Sequence, residues 1–500
     1  MLTLIRRELL DNLMTFRFAA AVFITMLLVV ANTAVLIKDY EQRLESYNTA
    51  VKTHQQKVRD TKTYSAGDVV VDRAPNPLSI FNVGLDKRLG NQVAIHHGFV
   101  PTLWDAEMHG SDTTFLNIFF AIDIVFVFEV VLSLMALLFA YDAIAAEHES
   151  GTLRLLLTHP VRRSHILLAK YISAMVCLLI PLLMSLSLAV ILLTGRGSIF
   201  LKTADFLRIG GIVFSSVAYM SVFYLIGLLI SAVARRTGTA LMVSMFVWGF
   251  LVLVYPNMIL AALEPLHGSG PRAKSVFAQI QQMWEHFDTE RKEFLTNDPV
   301  PGESTSFGIG WVGFNFKRFR EDSRTLRYYY KAGAHFEEID ERSQPKVPYA
   351  QNYYRFLVPL TIRTAERTWI VRSQGLKDIF IQPAKIDRTL LKLSPVGIYD
   401  AATQAWAGTD LLSIQDFFDA ARRYRQTVID YFYDKEAFTS RQWFSADKGA
   451  VDWRTLPQFS FQRSDIGINA KRAFQDVFLL LIINGVLFVI IFLIFQKSEV

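Results

Sequence analysis

Six stretches of this chain are each long and apolar enough to cross a lipid bilayer, which leaves few folds open to it: residues 16–37, 117–140, 166–193, 206–233, 239–263 and 473–495. A bilayer core about 30 Å thick needs about 20 predominantly apolar residues per helix, with every backbone polar group satisfied inside the segment. The expectation is an α-helical polytopic membrane protein with six transmembrane helices. An even number of crossings puts both termini on one side. Arg6, Arg7 and Arg17 precede the first stretch, Arg162, Arg163 and Lys170 follow the second, Arg235 and Arg236 the fourth, and Lys497 the last. The positive-inside rule makes that side cytoplasmic, with Arg196, Lys202 and Arg208 in the third connection as minor dissenters. The first stretch is longer than a signal-peptide core and lacks a clean small-x-small site, so it reads as an uncleaved span.

Against this background the formal charge of +6 is a membrane-topology signal, and no nucleic-acid partner is expected. The single cysteine, Cys177, lies inside an apolar stretch, which excludes an internal disulfide and a thiolate metal site.

The connection between the second and third stretches, residues 141–165, is charged and patterned. Glu147 and Glu149 precede Gly151 and Thr152, then Leu153, Leu156 and Leu157 recur at helical spacing until Pro160. The pattern predicts a short amphipathic helix along the membrane surface, stopped where proline removes a backbone donor. By itself this fits a helix that anchors a loop at the interface. The same residues resemble the loop after the second helix of type-2 ABC exporter permeases. The resemblance rests on the acidic pair, Gly151-Thr152-Leu153 with Leu156-Leu157, Pro160-Val161-Arg162-Arg163, and the helix start Ile166-Leu167-Leu168-Ala169-Lys170. It implies an ATPase-coupling role for Glu147, Glu149, Gly151, Thr152, Leu153, Leu156, Leu157, Pro160 and Arg163. Residues 1–17, with Leu2, Ile5, Leu9 and Leu13 opposite Arg6, Arg7 and Glu8, predict an amphipathic interfacial helix and resemble the elbow helix of the same family.

Residues 38–116 form a loop on the other side, beginning with a polar helical extension of the first span and broken by Pro75, Pro77, Gly84 and Gly90. His96, His97 and His109 lack the spaced carboxylates or thiols of a metal site and read as hydrogen-bonded or exposed. Within the second stretch, Glu129 and Asp123 are ionisable groups at depth, which face protein or water rather than lipid. Glu129 fits a pathway, an interface, or a hydrogen bond to a neighbouring Ser or Tyr. Pro181 kinks the third stretch, and Gly211 with Ser215 and Gly227 with Ser231 make close-packing faces on the fourth.

Residues 264–472 are long enough for a domain with its own core, expected to be mainly helical α+β and extracytoplasmic. Helices are predicted over 273–295, 316–330 and 413–432, the last with Ser413 as N-cap, and strands over 307–316 and 379–382. Leu393-Ser394-Pro395, Ala407-Gly408-Thr409-Asp410, Phe417 and Tyr424-Arg425 resemble an ABC permease subgroup with a large insertion before the final span. A pro-turn and a capped helix account for the same residues without a ligand. Gly268–Ser275 departs from a phosphate-binding loop through Ala273 and Pro271, and Gly308-Ile309-Gly310 through Gly313 lacks the strand and helix that a dinucleotide fingerprint needs. There is no Gly-x-Ser-x-Gly elbow and no His-Glu-x-x-His helix.

The resemblance implies a permease subunit without a catalytic site or cofactor of its own, in a bacterial inner membrane. ATP and Mg would be used by a separate cytoplasmic ATPase subunit. The other partners it implies are a second permease, as homodimer or heterodimer, membrane lipid, and a periplasmic partner for residues 264–472. The alternative is a membrane-anchored docking or assembly component of an envelope machine powered by such an ATPase. An ectoenzyme is the third class, disfavoured by the missing catalytic motifs.

Overall fold

The computed structural model describes residues 2–108, 122–151, 163–197, 199–263, 271–298 and 319–497. His109, Thr152, Leu153, Leu156, Leu157, Pro160, the expected strand over 307–316 and the Gly308–Gly313 motif lie outside them. Among the described residues six helices have the length and apolarity of membrane spans. An entry helix α1 (Leu2–Leu13) precedes the first span α2 (Phe16–Asp60), which continues as one helix far beyond its apolar part. The second span is α3 (residues 124–140), followed by the short α4 (Ala145–Glu149). The third is α5 (Arg163–Thr194), the fourth α6 (Thr203–Val233) and the fifth α7 (residues 237–263).

The fourth span is the hub. Its apolar window is 72% buried within the protein, against 17% for the fifth and sixth. Glycine is what lets its neighbours approach: a Cβ on Gly227 would meet Ala140 Cβ of the second span at 2.7 Å. The two small-residue pairs of this helix therefore serve contacts within the chain. The second and fifth spans each contain a π turn, at Phe128–Leu132 and Phe250–Val254. Such turns release a carbonyl from the helix ladder. Glu129 O accepts from Tyr219 Oη at 3.1 Å and from Ser133 Oγ, and Trp248 Nε1 of the fifth span donates to Ser133 Oγ at 2.9 Å.

Beyond the spans, a second hydrophobic core includes Val71, Val93, Trp284, Tyr354, Phe417 and Trp443, whereas the buried apolar residues of 78–83 and 396–407 pack with the spans. The elements outside the spans are the hairpin β1 (Val69–Asp72) and β2 (Gln92–Ile95), α8 (Pro271–Asn297), the hairpin β3 (Phe319–Asp322) and β4 (Arg327–Tyr330), and four further helices. These are α9 (Val347–Leu376), α10 (Gln382–Leu391), α11 (Pro395–Ala407) and α12 (Leu411–Asp434); the sixth span, α13 (Ile466–Lys497), follows.

Three local expectations are corrected. The described part of 316–330 is the β3–β4 hairpin, not a helix: Asp322 Oδ1 accepts from Arg324 N at 2.9 Å to form the turn, and the tyrosine run Tyr328–Tyr330 favours a strand. Residues 379–382 are helical, in a π turn at Lys377–Ile381 that runs on into α10. The N-cap of α12 is Asp410, whose Oδ1 accepts from Ser413 N at 3.2 Å, because Gly408 at φ +70 closes α11 and leaves Asp410 extended.

Helix α11 is the least expected element. Although it belongs to the insertion between the fifth and sixth spans, it packs between the fourth and sixth. Ser394 caps it and donates Oγ to Leu251 O in the π turn of the fifth span at 2.9 Å. Tyr399 stacks on Tyr219 with centroids 4.3 Å apart and shares a 2.8 Å hydrogen bond with Ser216. A Cβ on Gly211 would meet Trp406 at 2.3 Å, so the glycine leaves room for that indole.

Helix α10 lies beside the same ends of the spans. Tyr255 Oη donates to Leu390 O at 2.8 Å, Lys392 pairs with Asp476 of the sixth span, and Ile386 and Leu393 stay 58% and 73% exposed. Exposed apolar groups held at that level meet lipid. Ile386→Trp is expected to give blue-shifted emission quenched by phospholipids brominated near the headgroup. Ile370→Trp, about 24 Å higher along the helical rod at ~1.5 Å per residue, is expected to escape quenching.

His96 and His97 are built into the core of the large domain. Ala332 N donates to His97 Nε2 at 3.1 Å, and Arg425 donates to both histidine carbonyls at 2.8 Å. Burial, with the Lys331 ammonium nearby, pushes His96 down to about 4, only partly opposed by Asp68. The unfolded chain takes up this proton near pH ~6.5, so the stabilisation is complete above that pH and is lost as pH falls towards 4. The loss is on the order of 3 kcal/mol. The melting temperature of the domain should fall between pH 7 and 5, and His96→Gln should reduce that dependence, with the buried His97, also held down by burial, supplying the rest.

Candidate functional site: the connection after the second span

The second span ends at Ala140 in a turn that is anchored on both sides. Arg17, one residue into the first span, donates to Asp142 Oδ2 and Tyr141 Oη, each at 2.7 Å, and to Leu138 O at 3.1 Å. Ser231 Oγ near the end of the fourth span accepts from Ile144 N and Ala145 N at 3.0 and 2.9 Å. It thereby satisfies donors that a helix start leaves open.

On this fixed start stands the central contact. Lys170, about two turns into the third span and 8% exposed, donates from Nζ to Glu147 Oε1 at 2.8 Å and to Glu8 Oε1 of the entry helix at 3.2 Å. Its carbonyl accepts from Tyr224 Oη of the fourth span at 3.1 Å. One ammonium thus ties three elements, and burial makes each pairing hard to replace. Glu149, two residues on and exposed, accepts at Oε2 from Thr237 N and Oγ1 at 3.0 and 2.8 Å, which caps the start of the fifth span. Gly151 follows at φ +74, where a side chain is strained. At the far end of the connection, Arg163 Nη1 donates to Phe495 O and Gln496 O at 3.1 and 2.9 Å, on the last turn of the sixth span.

Residues 141–151 and Arg163 therefore make direct bonds to all six spans, and Lys170 links them to the entry helix. Of the residues singled out from sequence, Glu147, Glu149, Gly151 and Arg163 gather here. Asp123 does not: it caps the second span, with Oδ1 accepting from Phe126 N at 2.7 Å and Oδ2 from Val83 N at 2.8 Å. Glu129 sits at the π turn about two helical turns above, and the hydrogen bonds to Ser and Tyr anticipated for it run to its backbone carbonyl. Lys170, Glu8, Arg17, Asp142 and Ser231 are members that sequence reading assigned no such part. The available signal was Lys170 itself, a cation within an apolar helix that requires a partner.

The whole chain carries one further mark of kinship. Residues 2–500 match the family model described as ABC-2 family transporter protein. The chain belongs to that family. Among curated proteins it is similar to the probable ABC transporter permease protein NosY of Pseudomonas aeruginosa, with 35% identity over 133 residues. The same identity and length hold for NosY of Stutzerimonas stutzeri. The aligned part is 26% of this chain and 47% of each relative, so the chain spans about half the length of the curated relatives it matches. Family membership accords with the six spans.

Proposed function

We propose that this chain is the permease subunit of an ABC exporter, driven through residues 141–165 by a separate ATPase that uses ATP and Mg. The observation that carries the reading is the Glu8–Lys170–Glu147 contact together with the caps on the fourth, fifth and sixth spans. A push on this one connection loads every span at once. On this reading the connection and both termini face the cytoplasm of a bacterial inner membrane, and residues 264–472 face outward. The sparsely covered first, fifth and sixth spans, with Phe23, Phe246 and Phe478 at 67%, 74% and 52% exposure, offer surface to lipid and to a second permease.

The test is co-purification from native membranes. Glu147→Arg is a poor probe because it would also place a cation against Lys170. Leu156→Asp, within the stretch whose spacing resembles the family's docking helix, leaves the bonds of Glu147 and Glu149 alone. A cytoplasmic ATPase that accompanies the wild type and is lost from correctly inserted Leu156→Asp supports the reading. Absence of any ATPase from the wild type under mild crosslinking removes it.

Helix α11 favours one variant of this proposal, in which the moving load is the large domain itself and the chain serves docking or assembly. Its seat between the fourth and sixth spans makes that domain follow their motion. Stimulation of the ATPase by a defined solute would favour transport instead.

A further inference from the structure

The domain outside the spans contains a cleft of about 210 Å³. Its floor is strand β1, all four residues of which line it, and its two sides are the far end of α2 and the segment 453–459, which begins with the 3-10 turn Trp453–Thr455. Tyr47, Tyr424, Trp453 and Phe459 supply aromatic surface, and Arg59 and Gln458 stand at the rim. The walls are fixed: Trp453 Nε1 donates to Thr61 O at 2.7 Å, Tyr424 Oη to Pro457 O at 2.7 Å, and the Tyr424 and Phe459 rings are 5.2 Å apart.

The floor identifies the ligand. Among the described residues strand β1 pairs with β2 alone, in a register that places Val69 opposite Ile95 and Val71 opposite Val93. Arg73 N donates to Asn91 O at 2.7 Å, and Gln92 exchanges two backbone bonds with Glu107 on the far edge of β2, at 3.1 and 2.9 Å. In an antiparallel pair the bonded positions alternate, so residues 69, 71 and 73 bond to β2 while Val70 turns its N–H and C=O to the other edge. Among the described residues neither group of Val70 has a hydrogen-bond partner, and Val70 is only half-buried. Folded proteins cover or blunt such an edge, and an open donor and acceptor on a strand is the template for adding another strand. Arg59 sets the charge preference, since it is exposed and has no ion pair among the described residues.

We propose that this cleft binds an extended peptide segment of a partner protein as an added strand beside β1. Val70 N–H donates to a carbonyl of the peptide and Val70 C=O accepts from the same residue's N–H. Apolar or aromatic side chains flanking that residue pack on Trp453, Tyr424 and Phe459, and an acidic side chain or free carboxylate meets Arg59. Preformed walls keep the ordering cost on the protein small, so a peptide of four or five residues suffices for measurable binding. The site stands on its own geometry and does not depend on the transport reading.

The test uses the full chain in lipid nanodiscs and a fluorescein-labelled peptide, Ala-Val-Phe-Val-Glu, followed by anisotropy. Each lost backbone hydrogen bond is worth about 1 kcal/mol, so methylating the backbone nitrogen of the central Phe should weaken binding about fivefold on the wild-type protein. Val70→Pro removes only an outward-facing N–H, a position where a strand tolerates proline, and should weaken the parent peptide about fivefold. Arg59→Glu, an exposed change, should shift preference from the peptide ending in Glu to the same peptide ending in Lys. Equal binding of the parent and N-methyl peptides, or no saturable binding of the parent up to millimolar concentration, overturns the proposal. Displacement of the peptide by indole-3-acetate at equal concentration also overturns it, in favour of a small-solute site.

Discussion

Lys170→Met is expected to destabilise the membrane part of this protein by about 3–5 kcal/mol and to break the link between the connection after the second span and the spans. Glu8 and Glu147, 23% and 20% exposed, would be left facing one another with no cation between them. Like charges at that separation repel, and each has already lost much of its water. The melting temperature in detergent checks the first effect, and ATPase stimulation in the reconstituted complex checks the second. Replacing all three residues with apolar ones should recover most of the stability, because a buried ion cluster contributes little net energy beyond a well-packed isostere. If the charges matter only for folding, the triple variant also recovers activity. If they carry motion, it does not.

Asp205→Ala is expected to have an effect of similar size at the opposite end of the fourth span. Asp205 is fully buried and accepts from Lys202 N at 3.0 Å, from Arg208 Nη1 at 3.0 Å and from Arg463 Nη2 at 3.0 and 3.1 Å. Arg463 also donates to Asn76 Oδ1 at 2.8 Å, and Asn76 Nδ2 to Ala407 O at 2.8 Å, so one carboxylate holds the fourth span, the approach to the sixth and the end of α11 together. Its removal strands the Arg208 guanidinium, 6% exposed, with no carboxylate bonded to it, a loss of about 3–5 kcal/mol. Hydrogen exchange should accelerate in residues 395–408 and in the first turn of the fourth span. Protection in the Trp284 and Tyr354 core should change little.

The membrane architecture was legible because its signal is additive: about 20 apolar residues in a row outweigh any local ambiguity. The same holds for the long helix over 271–297 and for α12, where an apolar stripe repeats over several turns. Legibility failed where a decision rested on one or two residues. Asp410 and Ser413 are both good caps, and only the left-handed Gly408 before them settles which is used. The tyrosines of β4 are consecutive, so they show neither the alternation of a strand nor a helical period, and only their β propensity separates the two. Helix α11 was hidden for another reason. Thirteen residues are too few to register as a span, and nothing local says that their neighbours are membrane helices. At the candidate site, the acidic pair was visible as a motif, whereas its partners Glu8, Lys170 and Thr237 come from three other helices. Long-range pairings of that kind leave no periodic trace in a single chain.

The seat of α11 also dictates an order of construction. During synthesis the fourth span is complete long before residues 395–407 exist, and until they arrive the recess at Gly211 has no indole to fill it. The ribosome delivers α8 and α9 before α11, but α12, Phe417 and Trp443, which complete the core of the large domain, only after it. The sixth helix, which closes over α11, comes later still. For this chain, neither the membrane bundle nor the water-exposed domain can be finished before the other.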